Sequence, residues 1–175
     1  MSTQPFLLER VTPRESRKSG RVRTALWSIG MTIGVNADAQ RISQMFTVAE
    51  YLETWICHPA SDAGSHVAAS RAGDDYRLDF YGAGRLNARI TGSYLVCRHR
   101  KMLFTWRGME APPSASVVDI RVRGNFGSSI LELRHSGLAS PAEHSWHAAM
   151  WGVSLERLVR LMKNSHGNRG LEPRY

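Results

Sequence analysis

The chain has little that would support covalent or metal chemistry. It holds two cysteines in 175 residues, and Cys57 and Cys97 show no metal-type spacing. A disulfide framework and a zinc site are therefore not indicated, and free thiols in a reducing cytoplasm are the expectation. Long apolar runs are missing as well. The longest apolar-leaning stretch, Leu26 to Val35, contains Ser and Gly and is too short to span a bilayer. Met1 to Arg10 lacks a basic segment followed by an apolar core, so it does not read as a secretory signal. No G-x-S-x-G, P-loop or H-E-x-x-H occurs, and no internal repeat. Gly82-Ala83-Gly84 lies between two strand-like segments and does not open a helix, so it offers no pyrophosphate site.

Acidic residues are also scarce. Fifteen Asp and Glu stand against 23 Lys and Arg, a net charge of +8. The excess sits at the ends: residues 1–23 carry six cations against two acids, and residues 24–162 carry fourteen against twelve. Residues 1–21 read as a basic flexible arm with Pro5, Pro13, Ser16, Ser19 and Gly20 and no period. No aromatic residue interleaves with the arm's charges, so base stacking has no support and nucleic acid is not an expected partner. Hydrophobic content of 42% predicts a globular body rather than disorder.

Two periods organise that body. Trp27, Ile29, Met31 and Ile33 alternate along a first strand, Arg23 to Val35. A helical region opens at Asn36 or Asp38 and is broken near Thr47 into two short helices, the second carrying Tyr51, Leu52 and Trp55. From about Ser65 the period becomes two. Strand-length segments near 65–72, 75–82, 87–98, 101–109, 116–124 and 128–136 are separated by short turn signals, which favours antiparallel neighbours. Ser140-Pro141-Ala142-Glu143 reads as a capped helix start with Pro at the first position. Ala148, Trp151, Leu155, Leu158 and Met162 then form one apolar stripe to about Lys163. Residues 165–175 read as a flexible tail.

Several local signatures, taken in this order, resemble the SRPBCC superfamily, the START-like helix-grip fold. More narrowly they resemble its branch of homologues of an activator of a heat-shock chaperone ATPase. Phe46-Thr47-Val48-Ala49-Glu50-Tyr51-Leu52-Glu53-Thr54-Trp55 is similar to that branch's T-x-P-E-x-L-x-x-W segment, with Val48 in place of proline. Tyr76-Arg77-Leu78-Asp79-Phe80, Gly92-Ser93-Tyr94-Leu95 and Leu103-Phe104-Thr105-Trp106 resemble three of its strands. Leu131 to Gly137 resembles its L-x-L-x-H-x-G strand end, and Trp151, Leu155 and Leu158 its final helix, with Met150 where glycine is common. The resemblance implies an α+β helix-grip fold over residues 22–164: a curved antiparallel sheet of about seven strands wrapped around a long C-terminal helix, with two short helices after strand one. No cofactor is expected. Its members include lipid carriers, aromatic polyketide cyclases and chaperone regulators of the stress response, so function must come from the site.

Alternation places Tyr76, Leu78 and Phe80, Ile90, Gly92 and Tyr94, Phe104 and Trp106, Val118, Ile120 and Val122, and Leu131, Leu133 and His135 on one face of the sheet. Filling the core is the plain role for such residues. Lining a pocket between sheet and helix is the sharper one, and the expected ligand-binding set is Tyr76, Phe80, Tyr94, Phe104, Trp106, His135, Trp151 and Leu155. Tyr94, Trp106 and His135 would orient the ligand by hydrogen bonds and stacking. Gly92 would leave room for a bend or a ligand. His144 and His147 share a helix face and, with His135, form a weak three-histidine pattern that does not amount to a metal site. Asp79 and Glu132 are expected on the solvent face, among Arg77, Arg121, Arg123 and Arg134, paired across strands.

The expected function is non-covalent binding of a small hydrophobic or aromatic molecule. Two alternatives stand beside it: a chaperone-regulating interaction module acting through the outer face, and a cyclase- or hydrolase-type enzyme using His135 as general acid or base.

Overall fold

The computed structural model describes residues 26–60, 64–108, 115–125 and 127–167. The expected arm, 1–21, and residues 168–175 of the expected tail lie outside these. Seven strands and three helices follow in order: β1 (Trp27–Val35), α1 (Ala39–Thr47), α2 (Ala49–Trp55), β2 (His66–Ala72), β3 (Asp75–Gly82), β4 (Arg85–Arg98), β5 (Lys101–Gly108), β6 (Ser116–Asn125), β7 (Ser128–Leu138) and α3 (Pro141–Gly167). The strands form one antiparallel sheet in the order β1-β7-β6-β5-β4-β3-β2. This is the helix-grip α+β arrangement that the resemblance implies. None of the described helices is long and apolar enough to cross a membrane.

Local chemistry explains the boundaries. The Asp38 carboxylate accepts from the Arg41 N–H at 2.8 Å and caps α1. Val48, extended at φ −98° and ψ 124°, separates α1 from α2. A β-branched residue is at home in that conformation, and the break falls one residue beyond Thr47. The turn from β3 to β4 has φ 50° at Ala83 and 72° at Gly84, the paired positive values of a tight hairpin. At the start of α3 the Glu143 N–H donates to Ser140 Oγ at 3.1 Å. The Glu143 carboxylate reaches back to the Ala139 N–H at 2.8 Å, one residue further than an ordinary capping box.

The core lies between the inner face of the sheet and α3. Every strand residue expected there is buried except Gly92, which is half-buried. On α3 the buried stripe is wider than the periodicity suggests: Met150 and Ser154 are fully enclosed beside Trp151, Leu155 and Leu158. Ser154 Oγ accepts from the Cys57 N–H at 3.1 Å and so fastens the segment after α2 to α3.

The outer face is charged, with one correction. Glu132 is partly exposed and accepts from Arg123 at 3.1 Å. Asp79 points outward but is only 3% exposed, because the guanidinium groups of Arg77 and Arg89 cover it. The Arg89 Nε–H donates to it at 2.6 Å and the Arg77 Nε–H at 2.8 Å. Those bonds, Arg89's foremost, hold its carboxyl below the usual range against the opposing effect of burial.

Candidate functional site

Between sheet and helix a void of about 10 Å³ remains, the room one water molecule needs. Phe46 of α1, Leu52 and Trp55 of α2, and Ile56 close one side. Tyr76 and Leu78 of β3, Tyr94 of β4, Phe104 and Trp106 of β5, and Trp151 of α3 form the rest. Of the expected ligand-binding set, Tyr76, Tyr94, Phe104, Trp106 and Trp151 meet at this void. Phe80, His135 and Leu155 are buried away from it: Phe80 lies under the His58 ring at 6.3 Å, and His135 stands beside Trp106 and Trp151. Phe46, Leu52, Trp55 and Ile56 were not in that set. Their helical spacing marks an apolar face, but only the folded chain shows which cavity that face closes.

The aromatic wall is packed by design of its spacing. A Cβ on Gly92 would sit 1.9 Å from the Thr105 carbonyl oxygen and 2.7 Å from the Tyr76 ring and hydroxyl. The room expected for a ligand at Gly92 is therefore taken by Tyr76 and by the close approach of β5. The Tyr76 hydroxyl donates to that same Thr105 carbonyl at 2.7 Å, and the Tyr94 hydroxyl donates to the Phe46 carbonyl. Burial pushes both phenols above their ordinary pKa, so both remain donors.

Two hydrogen-bond chains run through the seam between β7 and α3. In one, Trp151 Nε1–H donates to His135 Nδ1 at 3.1 Å. His135 then carries its proton on Nε2 and donates it to Ser116 Oγ at 2.8 Å, and Ser116 donates to the Trp106 carbonyl at 2.9 Å. In the other, Trp106 Nε1–H donates to His147 Nε2 at 3.1 Å, and His147 Nδ1–H donates to the Glu143 carbonyl at 2.7 Å. Burial holds both imidazoles below their ordinary pKa, His135 the further, and the nearby His147 adds to the effect on His135. Each chain ends on a backbone carbonyl, and every polar group within it is satisfied.

This arrangement changes what the expected residues can do. Tyr94, Trp106 and His135 all have protein partners, so a ligand would meet their ring faces and edges rather than free hydrogen-bonding groups. Ser116 and His135 are at nucleophile–base distance, yet the tautomer is reversed: Nε2 holds a proton and cannot accept one from the serine. His144 does not join His135 and His147; its ring lies tilted against that of Trp27, with centroids 5.6 Å apart. Among the described residues no three His, Cys, Asp or Glu side chains converge as a metal ion would need.

A charged side chain packs on one residue of this wall. The Arg71 guanidinium lies 4.6 Å over the Tyr94 ring and donates through Nη1 to the Thr47 carbonyl at 2.8 Å. The junction of α1 and α2 is thus tied to the sheet by two bonds, from Tyr94 to Phe46 and from Arg71 to Thr47.

Solved structures share this fold at low identity. CV1439 from Chromobacterium violaceum is 20% identical, with 78% of this chain and 97% of that one covered at a TM-score of 0.63. CalU16 from Micromonospora echinospora is 18% identical over 81% of this chain and 80% of its own, at 0.56. DynU16, from the dynemicin biosynthetic locus, is 18% identical over 79% of this chain and 48% of its own, at 0.59. No curated protein matches the sequence at a significant level. The sequence pattern described as activator of Hsp90 ATPase homolog 1-like protein matches residues 36–163, most of the chain and nearly all of the fold, and the protein belongs to that family.

Proposed function

We propose that this protein binds a small hydrophobic or aromatic molecule between the sheet and α3. One observation carries the reading: the void described above is apolar, and seven of the ten residues around it are aromatic. Burial and ring stacking supply the affinity, because the buried hydroxyl, indole and imidazole groups already have partners. The void holds about one water, so a ligand of many atoms enters only if part of the wall moves. The α1–α2 junction is that part: it is a two-helix flap, interrupted at Val48 and tied to the sheet by Tyr94 and Arg71. Native mass spectrometry of protein taken from its own cell, followed by extraction, tests the proposal. A bound organic molecule released on denaturation supports it. A bare polypeptide mass, together with no heat on titration with aromatic compounds, overturns it.

A second reading, a chaperone-regulating interaction module, is supported by one feature of the exterior. Arg98, His99, Arg100 and Lys101 are exposed at the β4–β5 turn, and Lys101 lies directly opposite the exposed Arg121, with Arg123 two residues on. Such a basic corner suits an acidic partner surface. Co-purification of a chaperone, abolished by charge reversal at Arg121 and Arg123 but retained in Trp106→Ala, would favour it over the cavity.

A further inference from the structure

Arg71 packs on a residue of the void's wall and reaches solvent. Its ring partner Tyr94 belongs to the wall of the void, while its own side chain is 29% exposed. Its hydrogen bonds go to backbone carbonyls: Nη1 to Thr47 and Nε to Gly73, both at 2.8 Å. Carbonyls fix a guanidinium in place without cancelling its charge. The carboxylate it approaches, Asp74, is 3.9 Å away with a side chain 78% exposed, beyond hydrogen-bonding distance. Glu53, on the facing helix α2, is engaged instead by the Ala69 N–H at 2.7 Å. Among the described residues Nη2 of Arg71 has only the 3.9 Å ion pair with Asp74, so a carboxylate can take one charge-assisted bond there and gains a second, parallel one by displacing a backbone carbonyl from Nη1 or Nε.

We infer that the molecule held in this cavity is an amphipathic monoacid, its apolar body against Tyr76, Tyr94 and Phe104 and its carboxylate on Arg71. The inference rests on the cavity reading above and adds the head group to it. One guanidinium balances one negative charge, which favours a carboxylate over a phosphate dianion. An acid arriving at Arg71 also competes for the donors that tie it to Thr47. Head-group recognition and opening of the α1–α2 junction then occur at the same residue.

The test uses three probes with one ring system: naphthoate, naphthylmethanol and naphthylmethylamine. Each is titrated calorimetrically into the full chain at neutral pH. The acid is expected to bind about tenfold more tightly than the alcohol, the size of a partly exposed charge-assisted bond, with the amine weakest. That margin should shrink as salt is raised. Arg71→Met should bring the acid to the alcohol's affinity when both are measured on that variant, whatever the lost tie to Thr47 does to the two in common. Arg71→Lys should keep part of the preference, and it decides the matter with the wild-type comparison if Arg71→Met fails to fold. Equal binding of acid and alcohol by the wild type would overturn the head-group inference and leave the cavity standing. An acid preference that survives Arg71→Met would place the cation elsewhere and overturn it too. Binding of none of the three would overturn the cavity reading along with it.

Discussion

The imidazoles of His135 and His147 meet edge to face across the seam between β7 and α3, with ring centroids 4.7 Å apart and planes at 87°. Each accepts an indole N–H, from Trp151 and Trp106 respectively, so each must be neutral for both chains to stay intact. A proton added to either ring would set donor against donor beside a second imidazole.

Stability should therefore depend on mild acid. Both folded-state pKa values lie below the ordinary 6.5. Below that value the unfolded chain takes up protons that the folded chain refuses, so stability is complete above it and declines as pH falls toward the folded pKa values. Within that window each histidine removes at most about 1.4 kcal/mol per pH unit. Urea unfolding at a series of pH values from neutral downward measures the slope. A flat profile across that range would show that the rings accept protons without leaving the fold.

Ser116→Ala should cost about 1–3 kcal/mol, since it leaves the buried His135 Nε2–H without an acceptor. Ser116→Thr, which keeps the hydroxyl, should recover part of the loss if the added methyl fits. Chemical denaturation of the three proteins decides this. Equal stability of wild type and Ser116→Ala would mean that another acceptor replaces the hydroxyl.

Gly92→Ala should be among the most damaging single-methyl additions in the chain. Its Cβ would lie 1.9 Å from the Thr105 carbonyl, a backbone atom that cannot turn aside as a side chain would. A loss of about 3 kcal/mol or more is expected, at the upper end for overpacking. A thermal melt within a degree or two of wild type would contradict the close approach of β4 and β5 at this point.

Trp106→Ala should weaken ligand binding more than Arg77→Ala does. Trp106 is part of the wall around the void, whereas Arg77 lies on the opposite face of the sheet, over Asp79. Removing so large a core side chain also destabilises the fold by about 3–5 kcal/mol, so the titration must be done where circular dichroism shows both variants folded. The reverse order of affinities would direct attention to the outer surface.

Much of this architecture is legible in the residue order. The alternation of Leu131, Leu133 and His135 against Glu132 and Arg134 sets a strand and its two faces, and Ser140-Pro141 marks where α3 begins. Both are local properties, decided by the two-residue repeat of a strand and by the unpaired N–H groups of a helix start. The aromatic character of the seam is equally plain, because Tyr76, Tyr94, Phe104 and Trp106 all share the inner parity.

What those side chains do to one another depends on contacts between elements far apart in sequence. Alternation puts Asp79 outside, but only the folded sheet brings Arg89 from the next strand to cover it. A histidine at position 135 could serve a ligand, a metal or a serine. The Trp151 N–H, arriving from α3, settles its tautomer and turns it into a link of the core. The sequence by itself determined strands, helices, their faces and an aromatic interior. Tertiary structure alone decided that this aromatic wall leaves room for about one water and that Arg71 packs on Tyr94 behind it, because hydrogen-bond partners and residual volume are properties of surfaces brought together, not of any one segment.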